Sequence, residues 1–221
     1  MNILCFENSF HGRTIGSVAI TTSKAVYRHK FGPGMPGVLV APYPYCLHCV
    51  AKRGCSKGPG VDPTEQCCMG EGPPPSADGR RPLLRTCPWR PDDSLPFPRK
   101  KNMPPGPLES IEYMLKQQSV PEDVAAIVIE PILGEGGFLT PPAGFLRALR
   151  QICDKHGILL VFDEVQAGVG RTGKWWGHQH FDGAPKPDML IFAKGIGSGM
   201  PIAGIAANGA FLGLVAPAAA R

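Results

Sequence analysis

The apolar residues of this chain gather into short unbroken runs with helical stripes between them. Ile3 to Phe6, Gly37 to Val40, Ala125 to Glu130, Ile158 to Phe162 and Met189 to Ala193 are such runs. Apolar runs without alternation predict strands covered on both faces, as in parallel sheets. Pro201 to Ala207 predicts a last strand. Leu108, Ile111, Met114 and Leu115 recur at helical spacing. So do Phe145, Leu146, Leu149 and Ile152, inside a helix predicted from Pro142 to His156 with Gly157 as its C-cap. Phe10 to Thr14 predicts a turn leading into a helix that reaches about Thr22. Strand and helix in alternation predict an α/β fold. The expected form is a three-layer sandwich, a mostly parallel sheet with helices on both faces.

The periodicity stops between residues 42 and 107. That stretch holds Pro73-Pro74-Pro75, Pro104-Pro105, Arg80-Arg81 and Arg99-Lys100-Lys101. Such composition buries too little apolar surface to offset chain entropy, so the stretch is expected to be an irregular insert. The organisation expected is a core of residues 1–41 and 108–208, the insert at 42–107, and a small Ala-rich tail at 209–221. Cys46, Cys49, Cys55, Cys67 and Cys68 crowd the insert. Cys46-Leu47-His48-Cys49 has the spacing of two zinc ligands. Cys67 and Cys68 are adjacent, which suits one metal poorly, and free loop thiols are the favoured reading, with no metal expected.

Composition adds exclusions. In the 221 residues, 23 Lys and Arg against 18 Asp and Glu leave a net charge of +5, and the basic residues outside the insert are scattered. No nucleic-acid partner is expected. No run approaches the roughly 18 to 20 apolar residues of a membrane span. The first residues lack a basic-then-apolar secretion pattern.

Two of the apolar runs carry the chemistry. Leu159-Leu160-Val161-Phe162 ends in Asp163-Glu164, and Met189-Leu190-Ile191-Phe192-Ala193 ends in Lys194. Singly, an Asp-Glu pair also suits a Mg²⁺ site or a cap, and a lysine after a strand suits a surface charge. Together, at the carboxyl ends of two adjacent parallel strands, they face one crevice, where open α/β sheets bind ligands. Pyridoxal phosphate needs such a pair: a lysine for its aldehyde and an acid for its pyridine nitrogen. A nucleophilic lysine is expected to be partly desolvated, and Phe192, Ala193 and Gly195 around Lys194 suit that. Gly168 to Gly173 lacks the Gly-Lys-Ser/Thr ending of a phosphate loop and reads as tight turns after a strand.

On these residues the chain resembles class III aminotransferases of fold-type I, most of all those acting on 4-aminobutyrate and other ω-amino acids. The matching stretches are Ser9-Phe10-His11-Gly12-Arg13-Thr14, Glu130-Pro131-Ile132-Leu133-Gly134-Glu135-Gly136-Gly137, Asp163-Glu164-Val165-Gln166 through Gly173, and Ala193-Lys194-Gly195. They stand in the family's order and cover about residues 1–42 and 107–208.

The resemblance implies roles. Lys194 would bind the cofactor covalently and shuttle the substrate proton. Asp163 would face the pyridine nitrogen, with His11 behind it. Phe10 would stack on the ring, and Gly12 and Val165 would line its pocket. Gln166 would reach its phenolic oxygen. Arg13 would bind a substrate carboxylate, for which a guanidinium fork is suited. Glu130 and Glu135 would flank the substrate, Glu135 by pairing with an arginine of a C-terminal domain. Core packing for Phe10, a surface role for Arg13 and a solvated loop for Glu135 stay open as alternatives.

The implied reaction transfers an amino group from a 4-aminobutyrate-like amine to a 2-oxo acid such as 2-oxoglutarate. The family's phosphate-binding loop and its C-terminal small domain are expected to lie outside this chain, which would make it a truncated large-domain core. Alternatives are a non-catalytic fragment of the same fold, or a related class III transferase or lyase using another amine. The resemblance also implies a homodimer, in the cytoplasm or the mitochondrion.

Overall fold

A computed structural model of the chain describes residues 1–32, 34–44, 107–141, 144–181 and 183–209. The insert cysteines and the tail beyond residue 209 lie outside the described residues. Six strands form one sheet: β1 (Asn2–Phe6), β2 (Val38–Ala41), β3 (Val124–Ile129), β4 (Leu159–Asp163), β5 (Met189–Phe192) and β6 (Gly204–Ala207). Their spatial order is β2-β1-β3-β4-β5-β6. Neighbours run parallel from β2 to β5, and β6 is antiparallel to β5. This is the α/β, mostly parallel architecture that the unbroken apolar runs predict.

Register explains the core. Leu4 lies beside Ile127, and Ile127 beside Leu160. Ile129 lies beside Phe162, and Phe162 beside Leu190. These residues share one face of the sheet because side chains alternate along a strand. Helices α2 (Pro107–Gln117) and α3 (Phe145–His156) cover that face, the first with Ile111 and Leu115, the second with Phe145, Leu146, Leu149 and Ile152. Each such side chain, fully buried, contributes about 1.5–3 kcal/mol. The opposite face carries Cys5, Val128, Val161 and Asp163, all buried.

Gly157 closes α3 at φ 67°, the left-handed cap that its sequence position predicts, and its N–H donates to the Cys153 carbonyl. Helix α1 is shorter than expected: it spans Ile15–Ala19 and stops before Thr22. The reason lies in the hydroxyls that follow it. Thr21 Oγ1 donates to the Gly12 carbonyl at 2.8 Å, and Thr22 Oγ1 donates to the Phe6 carbonyl at 2.7 Å. These bonds draw the chain back onto the loop after β1.

The strand order also fixes where a ligand would lie. From β1 the chain crosses to β2 on one side, and from β3 it crosses to β4 on the other. The carboxyl ends of β1 and β3 therefore diverge at a topological switch point, the place where open sheets form crevices. No helix among the described residues is long and apolar enough to cross a membrane.

Candidate active site

Four loops meet at this edge, following β1, β3, β4 and β5. The loop after β1, residues 9–13, is held by buried hydroxyls. Ser9 is fully buried and its Oγ donates to the Phe6 carbonyl at 2.7 Å. Thr21, also fully buried, accepts the His11 N–H at 2.9 Å. Gly12, at φ 122°, makes the turn between His11 and Arg13 that a residue with a Cβ rarely makes.

Asp163 ends β4 on the face opposite the core. Its Oδ2 lies 2.8 Å from His11 Nδ1, and its Oδ1 accepts the Val165 N–H at 3.0 Å. A carboxylate accepts at about four lone-pair positions, so two contacts leave capacity for a further donor. The His11 side chain is 3% exposed, and its Nε2 has no partner among the described residues.

Lys194 follows β5, and its Nζ donates to Gln166 Oε1. It is exposed, against the expectation of a desolvated amine, because no described element covers the sheet edge over β5. Its backbone sits at φ 43°, in the left-handed region costly for a side-chain-bearing residue. Gln166 reaches Lys194 past Gly134. A Cβ at residue 134 would lie 2.7 Å from Gln166 Cγ, so glycine is what lets the two loops close.

Glu130 is buried, and both its oxygens are engaged. Oε1 accepts the Phe10 N–H and Oε2 the Gly134 N–H, each at 2.8 Å. Burial pushes its carboxyl above the ordinary value of 4.5, and those two N–H bonds partly oppose the rise. Glu130 thus ties the loops after β1 and β3 together across the switch point.

Arg13 and Glu135 lie further out, both exposed and both in contact with Tyr27. The Arg13 guanidinium sits 4.6 Å from the Tyr27 ring centroid and 5.7 Å from that of Phe10. Phe10 and Tyr27 meet edge to face at 5.2 Å. The Tyr27 hydroxyl donates to Glu135 Oε2 at 3.1 Å, and Lys24 Nζ lies 3.6 Å from the same oxygen.

All ten residues singled out in the sequence therefore border one sheet edge. Sequence reasoning missed Tyr27, Thr21 and the pair Glu164 and His178. Glu164 follows Asp163 and is fully buried. Its Oε1 accepts the His178 N–H at 2.8 Å and lies 2.9 Å from His178 Nδ1; its Oε2 accepts the Gly177 N–H at 2.8 Å. The pleat carried the signal: consecutive residues at a buried strand end face opposite ways, and a buried acid must be partnered. Among the described residues no three His, Cys, Asp or Glu side chains are grouped to hold a metal ion.

The model of the class III aminotransferases matches residues 1–58 and 93–219. The chain belongs to the class III aminotransferases. Within this family it is similar to the alanine/serine racemase of Pyrococcus horikoshii, 32% identical over 92% of this chain and 34% of that protein. It is 52% identical to the acetylornithine aminotransferase of Mycolicibacterium smegmatis and 46% identical to the 4-aminobutyrate aminotransferase GabT of Escherichia coli. These two matches cover 46% and 50% of this chain and 25% of each relative. A solved taurine:2-oxoglutarate aminotransferase from Bifidobacterium kashiwanohense, in complex with PLP and glutamate, superposes with a TM-score of 0.62 at 29% identity, over 93% of this chain and 36% of that one. The chain thus spans about a quarter to a third of the length of the curated relatives it matches. Between the two matched stretches lie residues 59–92, which the family model leaves unmatched.

Proposed function

We propose that this chain carries the ring-binding half of a pyridoxal-phosphate aminotransferase site acting on an amine that bears a carboxylate. The observation that carries the reading is the pairing of Asp163, tied to His11, with Lys194, tied to Gln166, at the ends of adjacent strands. Asp163 would set its anionic oxygen against the protonated ring nitrogen, and His11 Nδ1 would hold that carboxylate in place. Phe10 would lie along the ring, its backbone fixed by Glu130. Gln166 would present its amide to the phenolic oxygen while its Oε1 steers Lys194. Gly12 and Val165 would line the pocket. When bound, the cofactor supplies the electron sink for the charge left as the substrate C–H proton departs. Lys194 Nζ would accept that proton and return it. Arg13 would hold the substrate carboxylate away from the reacting amine.

The donor proposed is an ω-amino acid of the 4-aminobutyrate type, with a 2-oxo acid such as 2-oxoglutarate as acceptor. Acetylornithine is an equal candidate, because the likeness to acetylornithine aminotransferases is as strong. A homodimer is proposed with it, and sedimentation of the purified chain tests it.

The test of the site is a titration of the chain with pyridoxal phosphate. A visible absorbance band that is present in the parent and absent in Lys194→Ala is expected. A parent that shows no band at millimolar cofactor would overturn the reading for this chain.

A further inference from the structure

Arg13 and Glu135 carry opposite charges and stand on the same tyrosine, yet no ion pair or hydrogen bond joins them among the described residues. Tyr27 occupies each of them differently. Its ring face takes the guanidinium at 4.6 Å, and its hydroxyl takes the Glu135 carboxylate at 3.1 Å, where Lys24 adds a positive charge at 3.6 Å. Phe10 meets the Tyr27 ring edge to face, with centroids 5.2 Å apart, and helps fix it. A cation over a ring face keeps its N–H fork directed outward, because the attraction uses no hydrogen bond. The fork of Arg13 makes no hydrogen bond or ion pair among the described residues.

We propose that Tyr27 is a specificity-determining positioning residue: it holds Glu135 off Arg13 and so keeps the Arg13 fork open for a substrate carboxylate. This rests on the reading of Arg13 as the carboxylate site. Without the hydroxyl, Glu135 keeps only the long, exposed contact with Lys24 and can swing onto Arg13 to compete with the substrate. Without the ring, Arg13 also loses its support.

The test uses the ¹⁵N-labelled full chain, the Arg13 Nε–Hε NMR signal, and 4-aminobutyrate, with butylamine as the probe that lacks a carboxylate. Neither requires turnover. In the parent, the Tyr27 ring current is expected to shift the Arg13 signal upfield, and 4-aminobutyrate, not butylamine, moves it further. Tyr27→Leu returns the signal to the position of a solvated arginine and weakens 4-aminobutyrate binding. The loss expected is roughly 3- to 5-fold, the worth of an exposed cation–π contact. Tyr27→Phe keeps the ring-current shift but still weakens binding, and adding Glu135→Gln to Tyr27→Phe restores it. That rescue separates a held-off competitor from simple packing, and it stands even where Tyr27→Leu fails to fold. Unchanged affinity in Tyr27→Phe, or no rescue by Glu135→Gln, overturns the inference and leaves the carboxylate reading of Arg13 intact. An Arg13 signal in the parent that ignores 4-aminobutyrate overturns both.

Discussion

Asp163 and Glu164 are consecutive, and each holds a histidine on its own side of β4. Asp163 Oδ2 lies 2.8 Å from His11 Nδ1, and Glu164 Oε1 lies 2.9 Å from His178 Nδ1. The His178 ring packs on Phe162, whose side chain lies in the core, with centroids 5.3 Å apart. The Asp163 side faces the crevice. One dipeptide therefore divides its labour, one acid toward the crevice and one toward the fold.

The two acids should fail differently. Glu164→Ala strips the acceptor from two buried N–H groups and an imidazole, at about 1–3 kcal/mol for each group left unpaired. A loss of roughly 3–5 kcal/mol in unfolding free energy is expected. Asp163→Asn keeps an oxygen for the Val165 N–H, removes the charge and puts an amide N–H donor where the Oδ2 acceptor faces His11. It should unfold near the parent yet bind pyridoxal phosphate at least about tenfold more weakly, the worth of a charge-assisted contact. Denaturant melts and cofactor titrations of both variants check this. A Glu164→Ala chain as stable as the parent would show that the His178 turn is not held by that carboxylate.

Glu130 gives the chain a pH signature. Burial raises its native carboxyl above the ordinary 4.5. Below that value both native and unfolded chains hold the proton. Above it, and up to the raised native value, the native chain holds more protons than the unfolded one. Stability from this group is therefore fully present at low pH and falls as pH rises through the native value. Glu130→Gln removes that fall. The parent should lose ground to Glu130→Gln as pH climbs from 4.5, measured by urea unfolding across a pH series. A constant difference between the two would contradict a raised carboxyl at this site.

The buried thiols give a chemical check on the sheet. Burial pushes both Cys5, on the crevice face of β1, and Cys153, on α3, up to about 12. Thiolate is the reactive form, so alkylation at pH 8 should run roughly a thousandfold slower than for a free cysteine. Peptide mapping after brief iodoacetamide treatment should find both unmodified until denaturant is added. Rapid native labelling of Cys153 would mean that α3 does not stay docked.

Strands β1, β3 and β4 were legible because each is an unbroken apolar run, and burial on both faces is what such a run encodes; β6, at the sheet's edge, leaves Ile205 64% exposed. Helix α3 was legible to its last residue, because its stripe and Gly157 agree. The site was legible only where a motif named it. Tyr27 lies in a short 3-10 turn (Ala25–Tyr27) with no apolar period to mark it, and its partners Arg13 and Glu135 are 14 and 108 residues away in sequence. Thr21 read as helix, and its hydroxyl acts instead as a brace for His11 and Gly12. Contacts that join loops across a switch point leave no local periodicity. The exposure of Lys194 was misread for a related reason: its neighbours in sequence are apolar, but what covers a strand end is set by elements far along the chain.

Lys194 itself offers the sharpest test of the site's backbone. At φ 43° it sits where a residue with a Cβ pays about 1–2 kcal/mol, and only glycine is free of that cost. Strain of this kind persists where the surrounding structure dictates it, and here the following Gly195 packs where a Cβ would lie 3.0 Å from Val169 Cβ. Lys194→Ala and Lys194→Gly both remove the amine and its bond to Gln166, so the amine cancels between them. What differs is the strain, relieved only by glycine, and the extra unfolded-chain entropy of glycine, which opposes the gain by about 0.5–1 kcal/mol. Lys194→Gly should therefore be the more stable of the two by about 0.5–1 kcal/mol in equilibrium denaturation. Alanine equal to or better than glycine would mean that the lysine is not held left-handed in solution, and the geometry that aims its amine at Gln166 would have to be set by the side chain alone.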